Sequence, residues 1–371
     1  MWMMIMYTTL ALTGTALVYL SDRVSRFGFM AKLVQKGKNA QVAVGAVVVF
    51  TIFTLIGLII NFMNAIICAI YFALAWALCD FLFWFVSKLR KQVFMRYYAG
   101  GTAVILAIFA LCLGWYQDHN VWKTEYNLST AKNVENIKIL MFADSHIGTT
   151  FDAKGLTEHI SKMQKQNPDI VIIVGDFVDD DTDRENMVAS VKALGKMKTT
   201  YGVYFVFGNH DKGYYGAERR GFSAAELVDE LQKNGIKVLR DDTDLIGDMF
   251  YVIGRRDFSE VREQGGRRAS MEDLVKNLDK SKYMIVADHQ PVDYANQEKS
   301  GVDLVLSGHT HGGQLFPFNK VGKWIGANDA IYGLEKRGNT DFIVTSGISD
   351  WAIKFKTGTK SEYVVINLRK E

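Results

Sequence analysis

Four apolar stretches of membrane-spanning length occupy the first 116 residues: about Trp2 to Leu20, Val42 to Met63, Ala65 to Val86 and Tyr97 to Trp115. Roughly 20 consecutive apolar residues carry an α-helix across a bilayer's hydrocarbon core. There the backbone must satisfy its own polar groups, which a helix does. The first third of the chain is therefore expected to be a four-helix membrane region. Four spans are too many for a signal peptide. The first also lacks a basic leader and a convincing small-residue cleavage site, so it is expected to be retained. The second and third are joined by almost nothing, around Asn61 and Asn64, which predicts a tight helical hairpin.

Charge divides the chain at the same place. Residues 1–116 carry nine basic and two acidic side chains, which leaves 34 basic and 38 acidic of the chain's 43 and 40 for residues 117–371. The formal +3 is thus a basic membrane part added to a mildly acidic soluble part, and it gives no argument for nucleic-acid binding. Arg23, Arg26, Lys32, Lys36 and Lys38 lie between spans one and two, and Lys88, Arg90, Lys91 and Arg96 between spans three and four. The positive-inside rule places both loops in the cytoplasm. The expectation is a multi-pass protein of the cell membrane, with its N-terminus and everything after Trp115 outside the cytoplasm. Trp115, Tyr116 and Trp122 suit an interfacial belt or packing against the soluble part. Asp80, the one charge inside a span, reads better as a snorkelling or paired carboxylate near Lys88 than as a functional one. All three cysteines, Cys68, Cys79 and Cys112, lie in the apolar part, so the soluble part uses neither disulfides nor thiolate ligands.

After a linker over 117–136, the texture turns to strands and helices in alternation. Ile137 to Ala143, Asp169 to Val174 and Val203 to Phe207 read as strands, with helices at Ala153 to Gln166, Arg184 to Lys196 and Ser223 to Lys233. Further strands at Lys237 to Leu239, Phe250 to Ile253, Tyr283 to Ala287, Val302 to Leu306, Phe342 to Thr345 and Tyr363 to Ile366 imply a second sheet packed on the first. The fold class is α/β over 137–371.

Five short clusters follow strands in order: Asp144-Ser145-His146-Ile147-Gly148, Gly175-Asp176-Phe177-Val178-Asp179, Gly208-Asn209-His210-Asp211, Asp288-His289-Gln290-Pro291 and Gly308-His309-Thr310-His311-Gly312-Gly313-Gln314. His309 and His311, one residue apart at a strand end, are aimed the same way, at a metal centre. C-terminal strand ends are where α/β sheets gather ligand sites. Carboxylate, amide and imidazole without sulfur suit Mn, Fe or Zn in a hydrolytic site better than a closed structural zinc. Each cluster alone has a plain alternative: Asp-x-His is usually a cap or surface pair, Gly-Asn-His-Asp a turn, and His289 a strand end. Five together are not independent accidents. His119 and His159 fit no motif and are read as structural or surface residues.

In order and spacing these clusters resemble the calcineurin-like metallophosphoesterase superfamily over residues 137–367. The run Leu304 to Gln314 is most similar to its small bacterial, often membrane-associated branch. The resemblance implies a four-layer α/β/β/α sandwich and two divalent metal ions. It implies that Asp144, His146, Asp176 and His311 hold the first, that Asp176 bridges, and that Asn209, His289 and His309 complete the second. It also implies that His210 lies beside the phosphate as general acid or charge stabiliser, oriented by Asp179. Chemistry points the same way, since two cations a few ångströms apart activate a bridging hydroxide and neutralise phosphoryl oxygens, and a histidine protonates the leaving alkoxide.

Outside the motifs, Asp288 reads as a carboxylate supporting His289 or as a solvated neighbour. The segment Lys212 to Gly221 looks like a mobile substrate loop, with Arg219 facing substrate or capping the next helix. Arg255, Arg256, Arg267 and Arg268 offer forks for phosphate. Trp351, Lys354 and Lys356, in a segment that lies near the metals in relatives, suit a phosphorylated amphiphile. The expected protein is a membrane-anchored phosphoesterase whose partners are the bilayer and a phospholipid or other phosphorylated membrane substrate. The alternative is a transport or sensing protein with a regulatory metal domain.

Overall fold

The computed structural model describes residues 2–264 and 266–371, with the side chains of residues 2–5 and 262–264 left out of account. The chain forms two compact units, Met1–Trp115 and Tyr116–Glu371.

The first unit is helical. Among the described residues, three helices are long and apolar enough to cross a membrane: Lys38–Ile59, Phe62–Arg90 and Tyr98–His119. A helix also covers Trp2–Ser25, but it is not among those three. The hairpin turn is set by Asn61, whose side chain accepts the Asn64 N–H at 2.8 Å as an N-cap. Asp80 is paired, but with Arg23 rather than Lys88. Its Oδ2 lies 2.5 Å from Arg23 Nε, and Tyr19 and Tyr97 donate to the same carboxylate at 3.1 and 3.0 Å. A charge buried among helices finds a partner on a neighbouring helix when no water is at hand.

The second unit is built on two six-stranded sheets. The strands are β1 (Trp122–Thr130), β2 (Ile137–Phe142), β3 (Ile170–Val174), β4 (Val203–Val206), β5 (Ile236–Val238), β6 (Asp242–Ile246), β7 (Phe250–Gly254), β8 (Tyr283–Ala287), β9 (Leu304–Ser307), β10 (Gly333–Arg337), β11 (Thr340–Val344) and β12 (Glu362–Lys370). The first sheet runs β1-β12-β2-β3-β4-β5 and the second β10-β11-β9-β8-β7-β6. In the first, β2 to β5 are parallel and β12 is antiparallel to β2. In the second, β7, β8, β9 and β11 are parallel, flanked by antiparallel β6 and β10.

Parallel strands buried on both faces read as unbroken apolar runs, as Ile170–Val174 does. Alternate residues of these runs face opposite ways. Ile139, Met141, Ile172 and Val174 meet Phe250, Val252, Ile285 and Leu306 between the sheets. The other faces of β2, β3 and β4 carry Leu156, Met187, Val191 and Leu227 from the helices Ala153–Gln164, Arg184–Leu194 and Ala224–Lys233. Each of those helices starts at a side-chain cap, Asp152, Asp183 or Ser223.

Residues 117–136, read as linker, instead contain β1, which pairs in parallel with β12 from Trp122 opposite Glu362 to Thr130 opposite Lys370. Its outer edge leaves most side chains exposed, so Lys123, Thr124, Glu125 and Asn127 hide the strand signal. The polar edge strands β6 and β10 escaped the sequence reading for the same reason.

Candidate metal centre

Every clustered motif leaves a parallel strand at its C-terminal end. Asp144 and His146 follow β2, Asp176 and Asp179 follow β3, Asn209 and His210 follow β4, His289 follows β8, and His309 and His311 follow β9. The loops are tightly turned. Asp144, His146, Asp176, His309 and His311 have φ of 56°, 38°, 51°, 70° and 47°, five of the eleven non-glycine residues with positive φ among those described. Each such conformation costs roughly 1–3 kcal/mol, and such strain gathers where a site over-determines it.

Two groups result, Asp144 with His146 and His311, and Asp176 with His289 and His309, each with ligand-type atoms within 4.8 Å of one another. Asp176 joins them: its Oδ2 lies 3.0 Å from His289 Nε2 and 3.9 Å from His146 Nε2. His309 and His311 therefore do not share one target. The chain leaves the strand at Ser307 and turns through left-handed conformations, so consecutive imidazoles separate to different groups.

The far nitrogens fix the rings. His289 Nδ1 donates to the Val174 carbonyl at 2.7 Å and His311 Nδ1 to the Ser349 carbonyl at 3.2 Å, which turns each Nε2 toward the centre as a candidate ligand atom. His146 Nε2 and Asn209 Oδ1 are buried and make no hydrogen bond, and the buried His289 Nε2 faces only the Asp176 carboxylate. Orphaned imidazole and amide atoms converging on carboxylates fit divalent metals, which take those donor atoms directly. Burial pushes the Asp144 carboxyl up to about 6 against the pull of His289. Burial also raises Asp176, but the imidazoles of His289 and His210 outweigh it and hold the carboxylate well below its ordinary range.

His210 stands at the edge of this centre. Its ring centroid is 5.0 Å from that of His146, 5.3 Å from Tyr214 and 5.1 Å from the exposed Trp351. Its backbone N–H donates to Asp176 Oδ1 at 2.8 Å. Asp179, expected behind His210, has its Oδ2 3.3 Å from His146 Nδ1 instead. Its Oδ1 is taken by the Asp181 N–H, and that turn directs the carboxylate to His146.

Several accessory residues differ from expectation. Asp288 is not solvated, and its hydrogen bonds go elsewhere than to the His289 ring. It is fully buried and held by Arg255, Arg268 and Gln297, so those two arginines are engaged inside the protein and are not phosphate forks. Arg219 neither caps a helix nor points to the centre, but pairs with Asp181 at 2.6 Å and stacks on Tyr215. Lys356 is fully buried and donates to the carbonyls of Ser346 and Ser349, while Lys354 reaches the Thr149 carbonyl. His119 lies 3.4 Å from Asp118, and His159 packs on Phe151.

Two residues that shape the centre drew no role from the sequence. Asp211 was quoted in its motif but given no task. Gly208 leaves no room for a Cβ, which would fall 2.2 Å from Asp176 Oδ1. Lys356, expected to face an amphiphile, is instead turned inward, because its acceptors are carbonyls brought to it by the fold.

With this geometry in view, the likenesses to known proteins are consistent. Residues 137–313 match the family model described as calcineurin-like phosphoesterase. An uncharacterised metallophosphoesterase of Aquifex aeolicus is 33% identical over 196 residues, 52% of this chain and 70% of that protein. One of Campylobacter jejuni is 29% identical over 310 residues, 81% of this chain and 78% of the relative. A zebrafish protein described as a transmembrane protein with a metallophosphoesterase domain is 29% identical over 248 residues, and the chain spans 54% of its length. The chain belongs to the calcineurin-like metallophosphoesterases.

Proposed function

We propose that this protein hydrolyses a phosphate ester at two divalent metal ions, the ester being that of a phosphorylated, membrane-associated amphiphile. The carrying observation is Asp176, one carboxylate oxygen of which faces histidines of both groups. Asp144, His146 and His311 would hold one ion, Asn209, His289 and His309 the other, with Asp176 between them. Mn, Fe or Zn suits this oxygen and nitrogen set. When bound, the ions supply an activated water and charge neutralisation for the phosphoryl oxygens.

The chain's own residues do the rest. Asp179 and the Ser349 and Val174 carbonyls keep three imidazoles turned with Nε2 inward. His210, held between His146, Tyr214 and Trp351, gives a proton to the leaving alkoxide. Trp351 and Tyr214 form an aromatic wall for the group beyond phosphorus.

The membrane assignment extends this reading: four spans, with Trp2–Ser25 as the first, and a four-layer α/β/β/α catalytic unit outside the cytoplasm. The basic loops around Arg26 and Arg90 support that orientation. A lipid-linked substrate accords with a membrane region larger than anchoring needs.

The test is hydrolysis by the full-length protein, supplied with Mn, Fe or Zn, of p-nitrophenyl phosphate, bis-p-nitrophenyl phosphate and phosphatidic acid in vesicles. Metal-dependent turnover, greatest on the lipid, is expected. Metal binding with no turnover of any of the three would instead fit the regulatory-domain reading.

A further inference from the structure

The chain that leaves His311 exposes an unusual surface. Residues 315–325 read Leu-Phe-Pro-Phe-Asn-Lys-Val-Gly-Lys-Trp-Ile. Phe316, Phe318, Val321, Trp324 and Ile325 are five of the fourteen large apolar side chains exposed among the described residues from Tyr116 onward. Trp324 is 71% exposed and Phe316 62%. Lys320 and Lys323 are exposed between them, and no carboxylate occurs in the sequence from His311 to Asn328, although Glu335 on β10 lies 3.6 Å from Lys323 Nζ.

This is a folded loop. The Phe316 N–H donates to Thr357 Oγ1 at 3.0 Å, and the Thr357 and Gly358 N–H groups donate to the Gln314 carbonyl at 2.9 and 3.0 Å. Leu315, Phe318 and Gly322 also line a cavity of about 320 Å³ whose wall includes His309, so the patch is continuous with the candidate metal centre.

A segment of large aromatic side chains interleaved with lysines, with no acidic residue of its own and one acidic neighbour in Glu335, suits a bilayer interface, where rings sit at headgroup depth and ammonium groups meet lipid phosphates. A protein-binding face fits less well, because lysine is depleted in the cores of such interfaces. The chain also carries helices long and apolar enough to cross a membrane, which favours a bilayer as the partner.

We propose that residues 315–325 dock onto an anionic lipid bilayer, with Phe316, Phe318 and Trp324 entering the interface and Lys320 and Lys323 contacting lipid phosphates. The docking stands whatever phosphoester the metal centre takes.

The test uses the full-length protein in vesicles of phosphatidylglycerol and phosphatidylcholine, with photoreactive p-benzoylphenylalanine at position 316, 324 or 245. Leu245, exposed on β6 at the opposite edge of the sheet from β10, is the control. Lipid adducts are expected at 316 and 324, at about ten times the yield at 245 or more. Lys320→Glu with Lys323→Glu should cut that yield about tenfold in these vesicles and leave it unchanged in pure phosphatidylcholine. Equal metal content in every chain checks folding. Lipid adducts no more frequent than at 245, adducts to protein instead of lipid, or a yield indifferent to the two charge reversals would overturn the proposal.

Discussion

The carboxylate of Asp211 holds the backbone of Asp176: its Oδ2 accepts the Asp176 N–H at 2.8 Å. The same carboxylate accepts the N–H groups of Phe177 and Val178 at 2.8 and 3.0 Å and of Gly208 at 2.7 Å. Two loops, one after β3 and one after β4, are thereby clasped by a single buried side chain, and the bridging position of Asp176 depends on it. Asp211→Ala leaves four buried donors without an acceptor, at roughly 1–3 kcal/mol each. The expected result is a lower thermal midpoint together with loss of metal binding. Asp211→Asn, which retains one acceptor oxygen, should fall between the variant and the wild type in both.

His210 contributes to the centre without belonging to either metal group. His210→Ala should keep its metal content while turnover falls about a hundred- to ten-thousandfold, the usual worth of a positioned proton donor. Metal analysis beside steady-state rates checks this, and unchanged turnover would remove His210 from the chemistry.

Lys356 and His311 meet at one oxygen, the Ser349 carbonyl, which receives Lys356 Nζ at 2.9 Å and His311 Nδ1 at 3.2 Å. Replacing a buried ammonium beside Asp118 and Asp350 costs roughly 3–5 kcal/mol. Lys356→Met should lower the unfolding midpoint accordingly. By loosening the carbonyl that orients His311, it should also weaken metal binding about 10- to 100-fold. Calorimetric metal titration of the folded variant reads the second effect separately from the first.

Asp118 gives the catalytic unit a pH dependence of unusual sign. Burial, then the neighbouring Asp350 carboxylate, pushes Asp118 up to about 9 from an ordinary 3.8. Below 3.8 both folded and unfolded chains hold the proton and the group contributes nothing. Between 3.8 and about 9 only the folded chain holds it, so stability falls as pH rises through that window, and the full cost is present above it. Asp118→Asn is neutral throughout and removes this slope. Thermal midpoints from about pH 5 to about pH 9 should therefore decline less in the variant than in the wild type.

The strand order of the centre was legible because buried parallel strands are written as apolar runs with polar clusters at their ends. Asp144, His146, Asp176, Asn209, His289, His309 and His311 all stood in such clusters. Their division into two groups was given by the family resemblance, since the alternation that aims side chains in a strand ends where φ turns positive. The partners of Asp179, Asp288, Arg255 and Lys356 were illegible for a different reason. Each is set by contacts between segments distant in the chain, and a buried charge looks the same in sequence as an exposed one. Strand β1 was masked by its own edge position, because a half-exposed strand carries Lys, Glu and Asn where a buried one carries Val and Ile.

Two metal sites joined by Asp176 in one chain make a countable difference to the protein. Its most direct measurement is the number of divalent ions bound per chain of the purified full-length protein, wild type beside Asp176→Asn, by elemental analysis after equilibration with Mn. Two ions are expected in the wild type and none in the variant, with the folded secondary structure of both unchanged. A wild type that binds one ion or none, or a variant that keeps both, would contradict it.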